Sequence, residues 1–561
     1  MKKCNKKYIF HPCPFKTILI LIVVIVFFII PSKIIFAAPL HLINVPLDSW
    51  VYPAISRFET LQAFEGNSTI ALNTTPLTRF EIASLVDTAL SNLQKGKVEL
   101  IQADLLLMDK LVKEFQTELS ALNLNNLSHK STLKIAPYFI QKADIFKQDK
   151  NIEDLQKMNL FSELGGKFST IISENSAFYL DALAHTDYNW VSNIQEEEIH
   201  FQVQIKQAYV NLNLPSFKIA ISDNVSFLPD NIKISDFYLL VGRDNMRWGP
   251  GYQGSLTLSD NSAAFDMFKY SGTIDLNNSG ESLVKINFTK FFSMLDILGE
   301  QNRYFLGQRL EYKPIPALTL GLSETVIISE DSSILFYNPI PFIPPYYATW
   351  WIAGMFEPQE VNCNVALDAE INLTQKIKLY GEWMADDFIF TPWNNPFPNR
   401  TGFLAGAYFA DPIGSGNTDF RIEYTHINNY VYFPRHSWQD YLYQGEYIGH
   451  SLGPDADQIY LGLTHHLSDR LNLSLSYNQE RHGEGQVGIP LPSDPIVANE
   501  NIFLSGIIEK QQVYQVELSY TMSPQWEFSV GAIWENIKNK DNNIGVDEKN
   551  TYLQMELNYQ F

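Results

Sequence analysis

Cysteine is scarce in this chain of 561 residues, which contains three. Cys4 and Cys13 lie in the first 40 residues, and only Cys363 follows them. If that leader is removed, no pair remains, so an intramolecular disulfide is excluded. Strand pairing and burial must then supply the stability of the fold.

Positive charge is also in short supply, because 41 Lys and Arg residues face 62 Asp and Glu residues and the net charge is −21. A nucleic-acid partner needs a basic surface and is therefore not expected. Charged residues make up only 18% of the chain, whereas aromatic residues make up 13% and include 28 tyrosines. With a mean hydropathy of −0.11, this mixture excludes a helical membrane protein and favours sheets with tyrosines at membrane interfaces.

The usual signatures of catalysis are missing, since no phosphate loop, dinucleotide-binding glycine pattern or nucleophile elbow is present. Glu382, Asp386 and Asp387 are close in sequence, as the two acids of a glycosidase can be, but acids facing a barrel lumen are ordinary. His465 and His466 would point to opposite faces of a strand and make a poor metal pair. We therefore predict no enzyme activity, no catalytic residue, no metal site and no cofactor.

The first 38 residues have the pattern of a secretory signal peptide. Lysines precede an apolar run, Ile18–Ile30, which ends at Pro31, and the small residues Ala37 and Ala38 offer cleavage after either position. The alternative is a retained membrane anchor, although about 13 apolar residues are few for a spanning helix. Removal of the leader would take away six lysines and no acid, leaving a net charge of about −27.

Residues 44–90 are predicted to form a small helical unit. Its second helix should begin near Thr78, with Glu81 three residues later as in a capping box. The segments VPLDSWVYPAISRFETL and PLTRFEIASLV resemble one S-layer-homology (SLH) repeat, whose T-R-x-E signature corresponds here to Thr78, Arg79 and Glu81. The resemblance implies that these three residues bind peptidoglycan or another wall polymer. A helical hairpin without a ligand is the alternative.

Residues 98–123 contain a heptad series with apolar residues spaced alternately four and three apart, from Ile101 to Leu122. The spacing is typical of a coiled-coil stalk of about three heptads. A single amphipathic helix packed on the SLH-like unit or under the following domain explains it equally well.

From Leu133 onward the apolar period changes from helical spacing to two, and runs such as Leu471–Tyr477 and Tyr514–Tyr520 alternate between polar turns. A sheet of this size needs closure to remove its edges. We therefore predict a mainly β fold, a large antiparallel transmembrane β-barrel over residues 133–561, preceded by the helical segments.

The last strand places the barrel in a membrane. Its odd-numbered residues from Thr551 to Phe561 are mostly apolar, and the residues between them are mostly polar, so one face can meet lipid and the other a wet lumen. Tyr559 and Phe561 resemble the terminal signal read by the outer-membrane barrel assembly machinery. We expect this strand to close the barrel against the first strand, near Leu133–Phe139.

Five segments in order resemble the capsule-assembly Wzi family: RWGPGYQGSLTLSDN (247–261), GQRLEYKPIPALTLGLSET (307–325), YGEWMADD (380–387), GNTDFRIEYTH (416–426) and GEYIGHSLGPDADQIYLGL (445–463). The resemblance implies an 18-stranded barrel in the outer membrane of a Gram-negative-type bacterium, with the N-terminal unit in the periplasm. It also implies that the barrel binds or anchors capsular or other surface polysaccharide. The alternative is a wall-tethered porin for passive diffusion of small solutes.

Two aromatic groups are candidate glycan contacts, because an aromatic ring offers a flat apolar face with a polar handle. Trp248 lies among glycines that also suit a structural corner of the barrel. The second group follows the proline-rich segment 338–345 and suits an interfacial girdle equally well; it comprises Tyr346, Tyr347, Trp350 and Trp351.

Overall fold

A computed structural model describes residues 42–560, except 67–69, 125–132, 149–154, 174, 192–196, 221–230, 279–280, 299–300, 330–360, 388–396, 415–416, 433–436 and 490. The predicted signal peptide, the four aromatic residues of segment 346–351 and Phe561 lie outside the described residues.

The N-terminal part of the described chain is helical, with α1 (Val51–Thr60), α2 (Arg79–Gln94), α3 (Gln102–Glu114) and α4 (Gln116–Leu124). A short helix, α5 (Pro495–Glu500), lies in a loop much later in the chain. Helix α2 begins as the sequence predicts, because Thr78 and Glu81 form a reciprocal capping box. Of the helices in the described residues, none has the length and apolar character needed to cross a membrane.

The heptad segment forms two helices rather than one. The chain leaves the helical path at Phe115, and the Glu114 carbonyl accepts a hydrogen bond of 2.7 Å from Arg79 Nη2. That donor compensates for the helical partner lost at the break. Residues of the heptad stripe, among them Met108, Phe115 and Leu119, are buried in one cluster with apolar residues of α1 and α2. The stripe therefore packs within its own chain.

The predicted barrel is confirmed as a closed antiparallel sheet of 18 strands. The strands are β1 (Leu133–Gln148), β2 (Leu155–Ser173), β3 (Ser176–Val191), β4 (Glu197–Leu214, continued by Phe217–Ala220), β5 (Asn231–Asp244), β6 (Phe265–Asn278), β7 (Glu281–Leu298), β8 (Gln301–Ile315), β9 (Leu318–Ser329), β10 (Asn362–Thr374), β11 (Ile377–Asp387), β12 (Arg400–Ala410), β13 (Thr418–Ile427), β14 (Ala456–Ser468), β15 (Leu471–His482), β16 (Glu509–Ser523), β17 (Trp526–Lys538) and β18 (Glu548–Gln560).

Closure occurs between the first and last strands, as predicted, but it runs along Tyr138–Gln148 and overlaps the predicted Leu133–Phe139 only at Tyr138 and Phe139. In the register of β1 against β18, Phe139 lies opposite Tyr559 and Gln148 lies opposite Asn550. Every strand thereby has two hydrogen-bonded neighbours. Closure is obligatory in hydrocarbon, because each unpaired backbone group there costs several kcal/mol.

Alternate residues of the strands face opposite sides of the wall. Along β18, Leu553 and Met555 are exposed on the outer face, whereas Gln554 and Glu556, which alternate with them, are partly buried. Glu556 forms an ion pair of 3.0 Å with Lys142 of β1. The period of two therefore separates an apolar outer surface from a polar lumen, as in membrane barrels.

The two ends of the barrel differ. At one end, called the turn end below, strands are joined by tight turns, such as those at 316–317, 375–376 and 524–525. At the other end, the loop end, connections are long, as at 245–264, 428–455 and 483–508. The chain enters β1 and leaves β18 at the turn end.

The helical unit is docked to the turn end. Its core cluster includes Tyr408 and Ala410, which lie at the turn end of β12. Lys378 of β11 pairs with Glu59 of α1 at 3.0 Å and with Glu370 of β10 at 3.2 Å. Burial raises the pKa of the Glu59 carboxyl, but the charges of Lys378 and Lys313 and the hydrogen bonds to Glu59 together outweigh burial, so the net shift of this pKa is downward.

Candidate functional site: the folded loops inside the barrel

The segment between β5 and β6, residues 245–264, folds into the lumen and is called the lumen segment below. Its apolar side chains Trp248, Leu256 and Leu258 are fully buried in the main core cluster. The segment makes its own turn, because Trp248 N–H donates to the Leu258 carbonyl at 3.0 Å. A packed core therefore occupies this part of the lumen.

Two acids on the barrel wall hold the lumen segment. Both carboxylate oxygens of Glu382 (β11) lie 3.1 Å from the Leu256 backbone nitrogen. Glu423 (β13) accepts from the Tyr252 and Gln253 backbone nitrogens at 2.6 and 2.8 Å. These acids therefore serve as anchors for the backbone of the lumen segment.

Glycines permit the close approach of this segment to its neighbours. Gly249 has a φ of +122°, a backbone conformation that residues other than glycine rarely adopt. A Cβ at Gly254 would lie 2.8 Å from His450 Cδ2. The glycine pattern around Trp248 thus corresponds to tight turns and close packing.

The loop at 428–455 covers the lumen segment. Tyr432 and Tyr441 are stacked, with ring centroids 5.4 Å apart. Their hydroxyls donate to the carbonyls of Leu256 and Thr257 at 2.5 and 2.6 Å. Ser259 N–H donates in turn to the Ile448 carbonyl at 2.9 Å.

A third loop, at 483–508, is joined to the second. Asp455 accepts hydrogen bonds from the Ser505 hydroxyl at 2.5 Å and from Gly485 N–H at 2.9 Å. Asn429 N–H donates to the Ile502 carbonyl at 2.7 Å. The three loops therefore form one connected structure at the loop end.

Burial, together with the nearby positive charge of Arg247, lowers the pKa of the His450 imidazole to about 4. His450 Nδ1 accepts a hydrogen bond of 3.1 Å from Leu452 N–H. At neutral pH the ring is therefore uncharged, and its other nitrogen carries the proton.

Trp248, the first predicted glycan contact, is only 1% exposed. Its ring packs edge-on against Phe291, with centroids 5.3 Å apart. No ring face is open to a sugar, so the geometry corresponds to the structural corner that was the alternative prediction.

An aromatic group that the sequence analysis missed lies where the lumen segment meets β13 and β14. Tyr252 is 43% exposed, and its ring centroid is 5.4 Å from that of Tyr460. The Arg421 guanidinium lies 4.2 Å from the Tyr252 ring centroid and 4.4 Å from that of Tyr408. Only the tyrosine after W-G-P-G could have signalled this group, because its other members come from distant strands.

The predicted wall-binding residues have partners within the chain. Arg79 pairs with Glu114 and Glu118, each at 2.7 Å, and its guanidinium lies over the Phe115 ring. Thr78 and Glu81 bond to each other in the capping box. A wall-binding role for these three residues stays a prediction.

The family comparison matches the capsule assembly protein Wzi over residues 231–329 and 362–552. Those ranges include the lumen segment, both anchoring acids and the loops that cover it. They amount to more than half of the chain. This chain belongs to the Wzi family. The matched ranges begin after the helical unit, so the resemblance of residues 44–90 to an SLH repeat stays a prediction.

The fold agrees with a solved Wzi structure. The Escherichia coli protein, described as an outer-membrane protein involved in group 1 capsule assembly and a carbohydrate-binding β-barrel, has a TM-score of 0.57. The sequences are 15% identical, and the alignment covers 91% of this chain and 98% of that one. The Wzi-like barrel places this chain in the outer membrane.

Other barrels are less similar. OprD and OccK5 (OpdH) of Pseudomonas aeruginosa each give a TM-score of 0.38 at 10% sequence identity. Each alignment covers 76% of this chain, and they cover 93% of OprD and 98% of OccK5. The search of curated proteins found no match.

Proposed function

We propose that this Wzi-family chain binds surface polysaccharide at its loop end and assists capsule assembly without catalysing a reaction. The observation that carries the proposal is the built structure of the lumen segment, held by Glu382 and Glu423 and covered by two further loops. A pathway for small solutes does not need such a structure, whereas a rigid recognition surface does. The carbohydrate binding stated for the E. coli relative supports the same function.

The non-enzymatic part of the proposal rests on Glu382. Of the acids that suggested a glycosidase pair, Glu382 is buried, and its two oxygens accept from the backbone of the lumen segment. A carboxyl group employed in this way has no access to a glycosidic bond. We therefore assign Glu382 a structural role, which is to hold the backbone of the lumen segment.

The position of the helical unit indicates which end of the barrel faces the periplasm. In outer-membrane barrels, turns at the periplasmic end are short and loops at the extracellular end are long. The docking of the unit to the turn end supports a periplasmic location for residues 44–90 and an extracellular location for the three loops.

Tyr252 and Arg421 are the described residues best suited to contact a sugar that reaches from the loop end into the lumen, because Arg421 also lies beside Tyr408 of β12. The Tyr252 ring is partly exposed, and Arg421 adds a cation with several donors next to it. Tyr346, Tyr347, Trp350 and Trp351, which lie outside the described residues, remain predicted contacts.

Deletion of the gene followed by complementation tests the proposal. Polysaccharide held on the cells and polysaccharide shed into the medium would be measured separately. We expect deletion to shift the polymer into the medium, wild type to restore retention, and Tyr252→Ala to restore it only partly. Tyr514→Ala is the matched control, because Tyr514 is equally exposed at 43% but lies on a strand of the wall, in β16. Unchanged retention after deletion would refute the function.

The wall tether is a separate proposal with its own test. The full chain in detergent should sediment with purified peptidoglycan if residues 44–90 bind wall polymer. Arg79→Lys keeps a positive charge but loses the planar, multiple-donor group, so it should weaken sedimentation. Equal sedimentation of the two proteins would leave Arg79 as a structural residue that joins α2 to α3 and α4.

A further inference from the structure

The helical unit, residues 44–90, reaches into the lumen and contacts the lumen segment through its backbone. The two-residue strand Thr74–Thr75 pairs antiparallel with Arg247–Trp248. Gly249 N–H, next along the lumen segment, donates to the Asn73 carbonyl at 2.9 Å. Hydrogen bonds between antiparallel backbones hold the two segments in one register. The unit docked at the turn end and the segment that fills the lumen are therefore directly joined.

Buried side chains reinforce this junction. Asn44 Nδ2 donates to Asp244, the last residue of β5, at 2.7 Å, and Asp244 is fully buried. The Thr74 hydroxyl donates to Glu311 of β8 at 2.9 Å and accepts from Arg309 Nε at 2.8 Å. Breaking one of these contacts would leave a buried polar group without its partner, which is unfavourable. The junction is therefore held in place within the lumen.

Arg247 extends the junction to Tyr252. The Thr75 hydroxyl donates to the Arg247 carbonyl at 3.2 Å, next to the backbone pairing. At the other end of the residue, Arg247 Nη2 donates to the carbonyls of Gly251 and Tyr252, the latter at 3.1 Å. Arg247 thus contacts the helical unit with its backbone and the turn at Tyr252 with its side chain.

Arg421 provides a second connection. Its guanidinium lies over the rings of both Tyr252 and Tyr408, and Tyr408 belongs to the core cluster of the helical unit. A cation is attracted to the face of each ring that it covers. Asp419, two residues before Arg421 on β13, forms an ion pair with Arg57 of α1. The position of the Tyr252 ring therefore depends on side chains that pack against the helical unit.

We propose that the helical unit positions Tyr252, so that the state of the turn end controls the aromatic group at the loop end. Arg247 and Arg421 are the positioning residues, because each contacts Tyr252 and also contacts either the helical unit or a residue packed in its core. Such a coupling is reciprocal, so loosening the turn at Tyr252 also loosens the helical unit. The proposal rests on the proposed function only in treating Tyr252 as a contact for the polymer.

Amide hydrogen exchange of the full chain in detergent, read by mass spectrometry, tests the coupling. Phe58 is fully buried in the core of the helical unit, and Phe58→Ala leaves a cavity there. Local opening becomes easier, so amides of α1 should exchange faster. The peptide 250–256 should exchange about fivefold faster or more, whereas β16 should keep the wild-type rate. Phe528→Ala is the matched control, because it truncates the same side chain on the outer face of β17 and should change neither region.

Arg247→Met tests the connection itself. It removes the donors to the Tyr252 carbonyl and leaves the core around Phe58 intact, so peptide 250–256 should exchange faster and, by reciprocity, so should α1. Arg247→Lys keeps a charged donor and should restore part of the protection. In the double variant with Phe58→Ala, the two effects should be less than multiplicative, because they act through a shared connection.

A wild-type rate for peptide 250–256 in a chain whose α1 exchanges faster would overturn the proposal, and so would full multiplication of the two effects. Heat-modifiable mobility on gels would verify that each variant forms the barrel, and Phe58→Leu gives the same comparison with a smaller cavity if Phe58→Ala does not. Exchange is measured without polysaccharide. A failed coupling therefore leaves the retention test of the proposed function unaffected.

Discussion

Glu382 shows how a buried acid on the barrel wall holds the lumen segment. Its carboxyl group is buried in the barrel and accepts a hydrogen bond from the Leu256 backbone N–H. Without it, polar groups of the lumen segment would be buried and unpaired, at a cost of about 1–3 kcal/mol for each group. The same reasoning applies to Glu423 and the turn at Tyr252 and Gln253.

Replacement of Glu382 should therefore loosen the lumen segment while the barrel remains closed. We expect Glu382→Ala to raise ion conductance in planar bilayers well above that of wild type, which should conduct weakly. Glu446→Ala is the control, because Glu446 is an exposed acid of the covering loop. A large, steady conductance already present in wild type would instead favour the porin alternative.

His450 should make the loop structure sensitive to acid. Because its folded pKa of about 4 lies below the ordinary value of 6.5, the unfolded chain binds a proton first as the pH falls. The stabilisation is complete above pH 6.5 and is lost between 6.5 and about 4, by up to about 3 kcal/mol.

Near-ultraviolet circular dichroism of the loop tyrosines would follow this loss. We expect the wild-type signal to decline as the pH falls through that range and the signal of His450→Asn to change less. His465→Asn, a substitution on β14 away from the covering loop, should keep the wild-type response. Identical pH profiles for His450→Asn and wild type would contradict the assignment.

At the scale of elements, buried ion pairs fix the helical unit to the barrel. Lys378 is 4% exposed between Glu59 and Glu370, and Arg57 pairs with Asp104 and with Asp419 of β13. Removing one partner from a buried pair leaves an uncompensated charge, which costs about 3–5 kcal/mol. Exposed pairs contribute much less.

Lys378→Met should therefore release the helical unit and leave the strands intact. Amides of α1 should exchange faster with deuterium, and residues 42–124 should become sensitive to protease. Lys376→Met is the matched control at the same end of the barrel, since Lys376 pairs with Asp411 at 3.1 Å but is 53% exposed. Equal exchange in the two variants would show that the ion pairs of Lys378 do not hold the unit.

The outer face of β18 gives a test of membrane insertion. Met555 is 39% exposed on that face, near the middle of the strand, and Gln554 faces the lumen. Met555→Arg should destabilise the barrel by about 2–4 kcal/mol if it lies near the bilayer midplane. Gln554→Arg should be tolerated. Equal stability of the two variants in urea titrations would reverse the assignment of faces.

The strands could be predicted from the sequence because their pattern is local. Alternation along β18 fixes both faces, and closure against β1 follows from the absence of edges. The capping box at Thr78 is equally local. The heptad stripe gave no indication of the break at Phe115, because the donor that compensates for it, Arg79, comes from another helix.

The site could not be predicted in the same way. Glu382, Glu423 and Tyr252 meet only after the sheet closes and the lumen segment folds inward. Trp248 carried the features expected of a sugar contact, but these are shared with a buried aromatic corner. Sequence spacing contains no information about which side of a loop faces the lumen.

At the scale of the whole molecule, the described residues form a closed barrel with an ordered element at each end. A helical unit docks at the turn end, and three connected loops fill and cover the lumen at the loop end. Membership of the Wzi family accounts for the barrel and the lumen segment together. We propose that the loop end of this barrel recognises polysaccharide.

Binding of purified surface polysaccharide to the purified full chain tests that claim most directly. The chain would be inserted in liposomes, and the polymer would be obtained from the same bacterium. We predict saturable binding that falls at least several-fold in Tyr252→Ala and does not change in Tyr514→Ala. No saturable binding by the folded wild-type protein would contradict the account.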